Sequence, residues 1–105
     1  MAIAAFTISV RETVTGCTVI CDGDLDMLGA EQLQEAVDDA LLRDPHRFYI
    51  DCTNVTFIDS MGIRALIQTA SLCESRGIAL TIGASPGVRR LLDTIGVTSL
   101  FTLAS

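Results

Sequence analysis

The sequence predicts an α/β domain, with a mixed β-sheet that has a parallel part, crossover helices, and the order β-β-α-β-α-β-α-(β). Three observations lead there. Phe6, Ile8 and Val10 alternate with Thr7, Ser9 and Arg11, the period-2 pattern of a half-exposed strand. Apolar residues recur at helical spacing in three later stretches. Short apolar, β-favouring runs separate those stretches, and strands alternating with helices imply right-handed crossovers within one sheet.

The elements follow in order. Thr15-Gly16 turns the first strand into a second, Cys17 to Cys21, which is expected to stop at Asp22-Gly23. A helix is predicted from about Ala30 to Leu42, with Leu33, Ala36, Val37, Ala40 and Leu41 on one face, and Asp44-Pro45 ends it. Phe48 to Cys52 reads as a central strand. A second helix is predicted over about Met61 to Ser75, with Ile63, Leu66, Ile67 and Ala70 inward and Gly77 as its left-handed terminator. Ile78 to Ile82 forms the next strand. Ser85 then caps a third helix with Pro86 at its first position; Val88, Leu91, Leu92 and Ile95 face inward and Gly96 closes it. A short terminal strand is expected around Leu100 to Leu103.

The chain has 105 residues, half of them hydrophobic, enough for one domain spanning 1–105 with its own core. No apolar run reaches the ~18 residues of a membrane span, and the N-terminus lacks the basic start of a signal peptide. A cytoplasmic protein with no direct membrane insertion is expected. Seven basic against thirteen acidic residues give a net charge of −6, which argues against nucleic acid and for a protein partner with a basic docking surface. The four cysteines form no Cys-x-x-Cys pair and His46 is the single histidine, so reduced, buried thiols and no metal are expected.

The stretch Val55-Thr56-Phe57-Ile58-Asp59-Ser60-Met61-Gly62-Ile63 carries most of the functional information. It sets a strand, a turn and a helix start in series, with Ser60 where the helix begins. A hydroxyl there meets the positive end of the helix dipole, a position that suits a capping hydroxyl or a phosphate. General chemistry leaves both readings open. Topology should bring three loops, Asp22 to Gly29, Thr53 to Ser60 and Gly83 to Pro86, to one sheet edge, gathering Asp24, Asp26, Asp59 and Ser60. Catalysis is not expected. A nucleophile elbow needs Gly where this chain has Ile58, and His46 should lie at the opposite edge. No cofactor loop accompanies the carboxylates.

That stretch resembles the STAS-domain family, together with Gly23-Asp24-Leu25-Asp26 upstream and the run from Ser85-Pro86-Gly87-Val88 to Ile95-Gly96 downstream. The resemblance runs over nearly the whole chain and is strongest to stand-alone bacterial anti-sigma factor antagonists. It implies a non-enzymatic switch without cofactor or metal. Such an antagonist binds an anti-sigma factor that is also a serine kinase and so releases a sigma factor. The kinase phosphorylates the Ser after the Asp, here Ser60, and a PP2C-type phosphatase reverses it. Asp26 and Asp59 are the docking positions the resemblance implies, with Met61, Gly62 and Ile63 as contact positions (Ile63 being either contact or core); topology adds Asp24, and Arg64, one turn into the helix, is placed to pair with phosphoserine or with the partner. Gly62 is expected to let a partner backbone approach the hydroxyl. Two departures stand out: Gly29 occupies a position that often holds a Thr cap, and the chain stops at Ser105 where relatives continue into a further helix. The alternative is a structural subunit of a membrane lipid-transport ABC complex, whose STAS proteins tend to carry Thr after the Asp.

Overall fold

A computed structural model describes residues 6–14 and 16–104. Its elements run β1 (Thr7–Glu12), β2 (Gly16–Leu25), α1 (Met27–Leu41), β3 (Arg47–Ile58), α2 (Ser60–Arg76), β4 (Ala79–Ala84) and α3 (Pro86–Ile95), then a 3-10 turn at Thr98–Leu100. The strands lie in the order β1-β2-β3-β4. β1 is antiparallel to β2, while β2, β3 and β4 are mutually parallel, so the mixed sheet and the crossovers are as predicted.

Alternation along the strands divides the sheet into two faces. Val19, Cys21, Phe48, Ile50, Cys52 and Ile82 are buried on one face, joined there by Leu33 and Val37 of α1, Leu66 of α2 and Leu92 of α3. Thr18, Tyr49 and Thr81 lie in register on the other face and keep part of their surface in water. A sheet packed on one side explains why Phe48 to Cys52 is not a continuous apolar run: Tyr49 and Asp51 face outward.

Two strands are longer than expected, and the difference shapes the site. β2 runs on through Asp22-Gly23 to Leu25, and β3 runs on through Thr53-Asn54 to Ile58. These extensions pair with each other, Asp22 with Asn54, Gly23 with Val55, Asp24 with Phe57 and Leu25 with Ile58, across two register shifts. Gly23 holds φ 103°, which suits a glycine at such an irregularity. The residues that read as a turn are therefore a bulged strand, anchored by buried Leu25 and Val55.

Other boundaries move as well. α1 begins at Met27 rather than Ala30 because Asp26 caps it. Ile95, expected inward, is exposed at the last turn of α3, and Ala70 is only partly buried. The expected terminal strand reduces to the 3-10 turn and one parallel bridge from Leu103 to Ile82. That bridge rests on Ile82 N–H donating to the Thr102 carbonyl and Ala104 N–H donating to the Ile82 carbonyl, both at 2.9 Å. The terminators Gly77 and Gly96 adopt φ 71° and 78° as the sequence requires.

Candidate functional site

The paired extensions of β2 and β3 end side by side at Leu25 and Ile58, and each strand enters its helix through an Asp one residue later. Asp26 caps α1: its Oδ1 accepts from Gly29 N–H at 3.0 Å. Asp59 caps α2: its Oδ1 accepts from Met61 and Gly62 N–H at 2.9 and 3.0 Å. Asp59 N–H in turn points to the Leu25 carbonyl at 3.4 Å, tying the start of α2 to the end of β2. Two helices thus present their positive ends together, each met by a carboxylate. Asp24 stands one step back along β2 and accepts from the Thr56 hydroxyl at 3.3 Å.

Ser60 is therefore not the cap; Asp59 is. The serine occupies the first helical position, is exposed, and forms no side-chain hydrogen bond to a described residue. Asp24, Asp26, Asp59 and Ser60 do come together at one end of the domain. The third loop, Gly83 to Pro86, meets the strand end only at Cys52 to Val55, short of the aspartates. Ser85 N–H donates to the Cys52 carbonyl and its hydroxyl to the Val55 carbonyl. That places the start of α3 about four residues, or roughly 13 Å, back along β3 from Asp59.

Of the other positions named from sequence, Met61 and Arg64 face solvent, whereas Gly62 and Ile63 are buried. Gly62 serves packing within the domain: a Cβ there would collide with the Leu25 carbonyl and come within 2.9 Å of the Leu25 and Ile58 side chains. The glycine lets α2 start tightly against the strand ends, rather than admitting a partner backbone. Gly29 plays a matching part in α1, where a Cβ would lie 2.7 Å from the Asp24 carbonyl. It is the capped residue, not the cap.

Of the apolar surface at this end of the domain, the sequence pointed to Met61 but not to Met27, Leu28 or Phe57. Met27 and Leu28 of α1, Met61 of α2 and Phe57 of β3 are all exposed. Between α1 and α2 runs a groove of about 260 Å³, with Met27 and Met61 on its walls, buried Ala30 and Ala65 beneath, and Glu31 and Arg64 at its sides. Farther along the groove Gln34 Nε2 donates to Gln68 Oε1 at 2.7 Å, joining the two helices. Helical periodicity places Met27 and Leu28 outside α1, so their exposure on its first turn leaves no signal in the sequence.

Elsewhere the chemistry is quiet. His46 precedes β3 and Ser60 follows it, so the strand's whole length separates the imidazole from the hydroxyl. All four cysteines are buried free thiols. The Cys21 thiol is pushed far up by its hydrogen bond with Cys52 and by burial, so it is not a nucleophile at neutral pH. Among the described residues no group of three His, Cys, Asp or Glu could hold a metal, and no helix is long and apolar enough to cross a membrane.

Comparison with known proteins agrees with this architecture. The STAS domain family matches residues 6–105. No curated protein sequence matches the chain. Among solved structures, an anti-sigma factor antagonist from Mycobacterium paratuberculosis is 25% identical with a TM-score of 0.84, over 94% of this chain and 85% of that one. The Bacillus cell fate determinant SpoIIAA in its phosphorylated form is 22% identical with a TM-score of 0.67, over 96% and 92%. A variant of RsbS from Moorella thermoacetica is 19% identical with a TM-score of 0.78, over 92% and 85%. With the family matched from Phe6 to the last residue and the fold shared with these solved structures, the chain belongs to the STAS domain family.

Proposed function

We propose that this protein is an anti-sigma factor antagonist whose docking to an anti-sigma factor with serine kinase activity frees a sigma factor, and that phosphorylation of Ser60 switches it off. A PP2C-type phosphatase restores the active form. The observation that carries the reading is the state of Ser60: an exposed hydroxyl in the first turn of α2, free of capping duty because Asp59 takes the cap, and followed in the chain by exposed Met61. A kinase can reach it, and a docked partner must cover it. A phosphate adds about 1.5–2 negative charges there, next to Asp59 and Asp26. A dianion at an apolar contact opposes docking through desolvation, while the body of the domain is left as it was. The phosphorylated relative of the same fold fits this account.

The test is to incubate the protein with ATP and each kinase-type anti-sigma factor encoded near its gene, then to map phosphate by mass spectrometry. A single phosphate on Ser60, absent from Ser60→Ala, together with a complex that forms only without it, is the expected result. A folded protein that no active candidate kinase modifies, and that instead co-purifies with an ATPase and a permease, would move the assignment to a transporter subunit.

A further inference from the structure

Ser60 and Arg64 are exposed and stand four residues apart on α2, so their side chains share one face of the helix. Among the described residues Arg64 has no ion-pair partner; the pairs found there belong to Arg43. Its side chain lines the groove together with Met61, Met27 and Glu31. The first-turn N–H groups of Met61 and Gly62 are already held by the Asp59 carboxylate. A phosphate on Ser60 therefore cannot use them without displacing the cap. The acidic groups at this end of the domain are Asp59 just before α2, Asp24 near the end of β2, Asp26 at the start of α1, and Glu31 of α1 on the groove. Among the described residues, the cation that shares this face of α2 is Arg64.

Resting on the phosphorylation reading above, we propose that Arg64 is the phosphate-binding residue of the Ser60-phosphorylated protein and holds the phosphate beside the Met27–Met61 groove. An acidic group four residues before a basic one is the favourable order on a helix. A guanidinium offers a planar fork of donors that matches phosphate oxygens. In the unphosphorylated protein Arg64 is available to a partner at the groove's side. After phosphorylation the same guanidinium is engaged, and an ion pair borders the apolar surface. A partner that seats an apolar side chain between Met27 and Met61 must then strip water from that pair.

The experiment uses the full chain with phosphoserine installed at position 60 during translation, so that no kinase is needed. The phosphate is titrated by phosphorus NMR in the parent, Arg64→Gln and Arg64→Lys proteins. Asp24, Asp26, Asp59 and Glu31 are present in all three, so their effects cancel in the comparison. The phosphate of the parent should lose its second proton at a pH lower by about 0.3 units or more than that of Arg64→Gln. Arg64→Lys should fall between, and the difference should shrink in 1 M salt as the pair is screened, the Debye length there being about 3 Å. Superimposable curves for the three proteins would overturn the proposal. Should Arg64→Gln fail to fold, the parent and Arg64→Lys are compared at low and high salt: a gap that closes in 1 M salt supports the pair, and no gap at either salt overturns it. Failure here leaves Ser60 phosphorylation by a kinase intact, and failure of the kinase experiment leaves this titration unaffected.

Discussion

At the scale of single residues the site turns on which of two neighbours caps α2. Asp59 and Ser60 are both good caps by type, and Asp59 takes the role with two N–H donors on one oxygen. Asp59→Ala should cost about 1 kcal/mol, lowering the melting temperature by about 4–8 °C, while Asp59→Asn keeps most of the stability. Thermal unfolding followed by circular dichroism checks this, and an unchanged melting temperature would mean the cap contributes nothing. Ser60 has no such duty. Ser60→Asp should weaken anti-sigma binding by at least about tenfold, because a charge enters an apolar contact. Its melting temperature should stay near the parent's, since an acidic residue in the first turn suits the dipole. Calorimetric titration read beside a thermal melt separates the two effects; a large drop in stability would make Ser60 structural. Asp26 carries a double load as cap and as neighbour of Ser60, so Asp26→Ala should lose about 1 kcal/mol of stability along with affinity.

Among the elements, the helix ends differ sharply in how legible they are. α3 follows from local code alone: Ser85 accepts from Val88 N–H, Pro86 stands first, and Gly96 turns left-handed. α2 ends at Gly77 for the same reason. The joined ends of β2 and β3 were not legible, because Asp22-Gly23 is a turn signal whose outcome here depends on Asn54 and Val55 lying opposite. Gly62 depends on the same junction. Gly62→Ala gains helix propensity of about 1 kcal/mol, yet drives a methyl against the Leu25 carbonyl. We expect a net loss of about 1–3 kcal/mol, read from the urea midpoint at constant m-value. A gain in stability would show that α2 can shift away from β2 at little cost.

For the whole molecule the parallel order β2-β3-β4 decides what meets what. It sets the starts of α1 and α2 next to each other and leaves α3 lower along β3. It also sets Cys21 beside Cys52 in the core, where hydrogen bonding and burial hold the Cys21 proton on sulfur. The unfolded chain releases that proton near pH 8.5, so above this value the unfolded state binds fewer protons than the native state. Stability is thus full below about pH 8.5 and falls as pH rises, by up to about 1.4 kcal/mol per pH unit for this thiol. Urea unfolding between pH 7 and 10 should show the decline, and Cys21→Ala should lessen it, leaving the smaller parts of Cys17 and Cys73, whose thiols burial also pushes up. An equal slope in both proteins would assign the decline to other groups.

The sequence by itself determined the class of the three α-helices and of the four sheet strands, the crossover topology, most of the core faces though not the place of Ile95, and the grouping of Asp24, Asp26, Asp59 and Ser60. These follow from periodicity and from caps, which act within a few residues along the chain. Tertiary structure alone decided that β2 and β3 run on past their turn-like residues and that Met27 and Met61 line one groove. Each of those rests on a contact between residues some thirty positions apart, Leu25 against Ile58 and Asp59, α1 against α2. No local pattern encodes such a pairing, since the same Asp-Gly step makes a turn or a bulge according to what packs beside it.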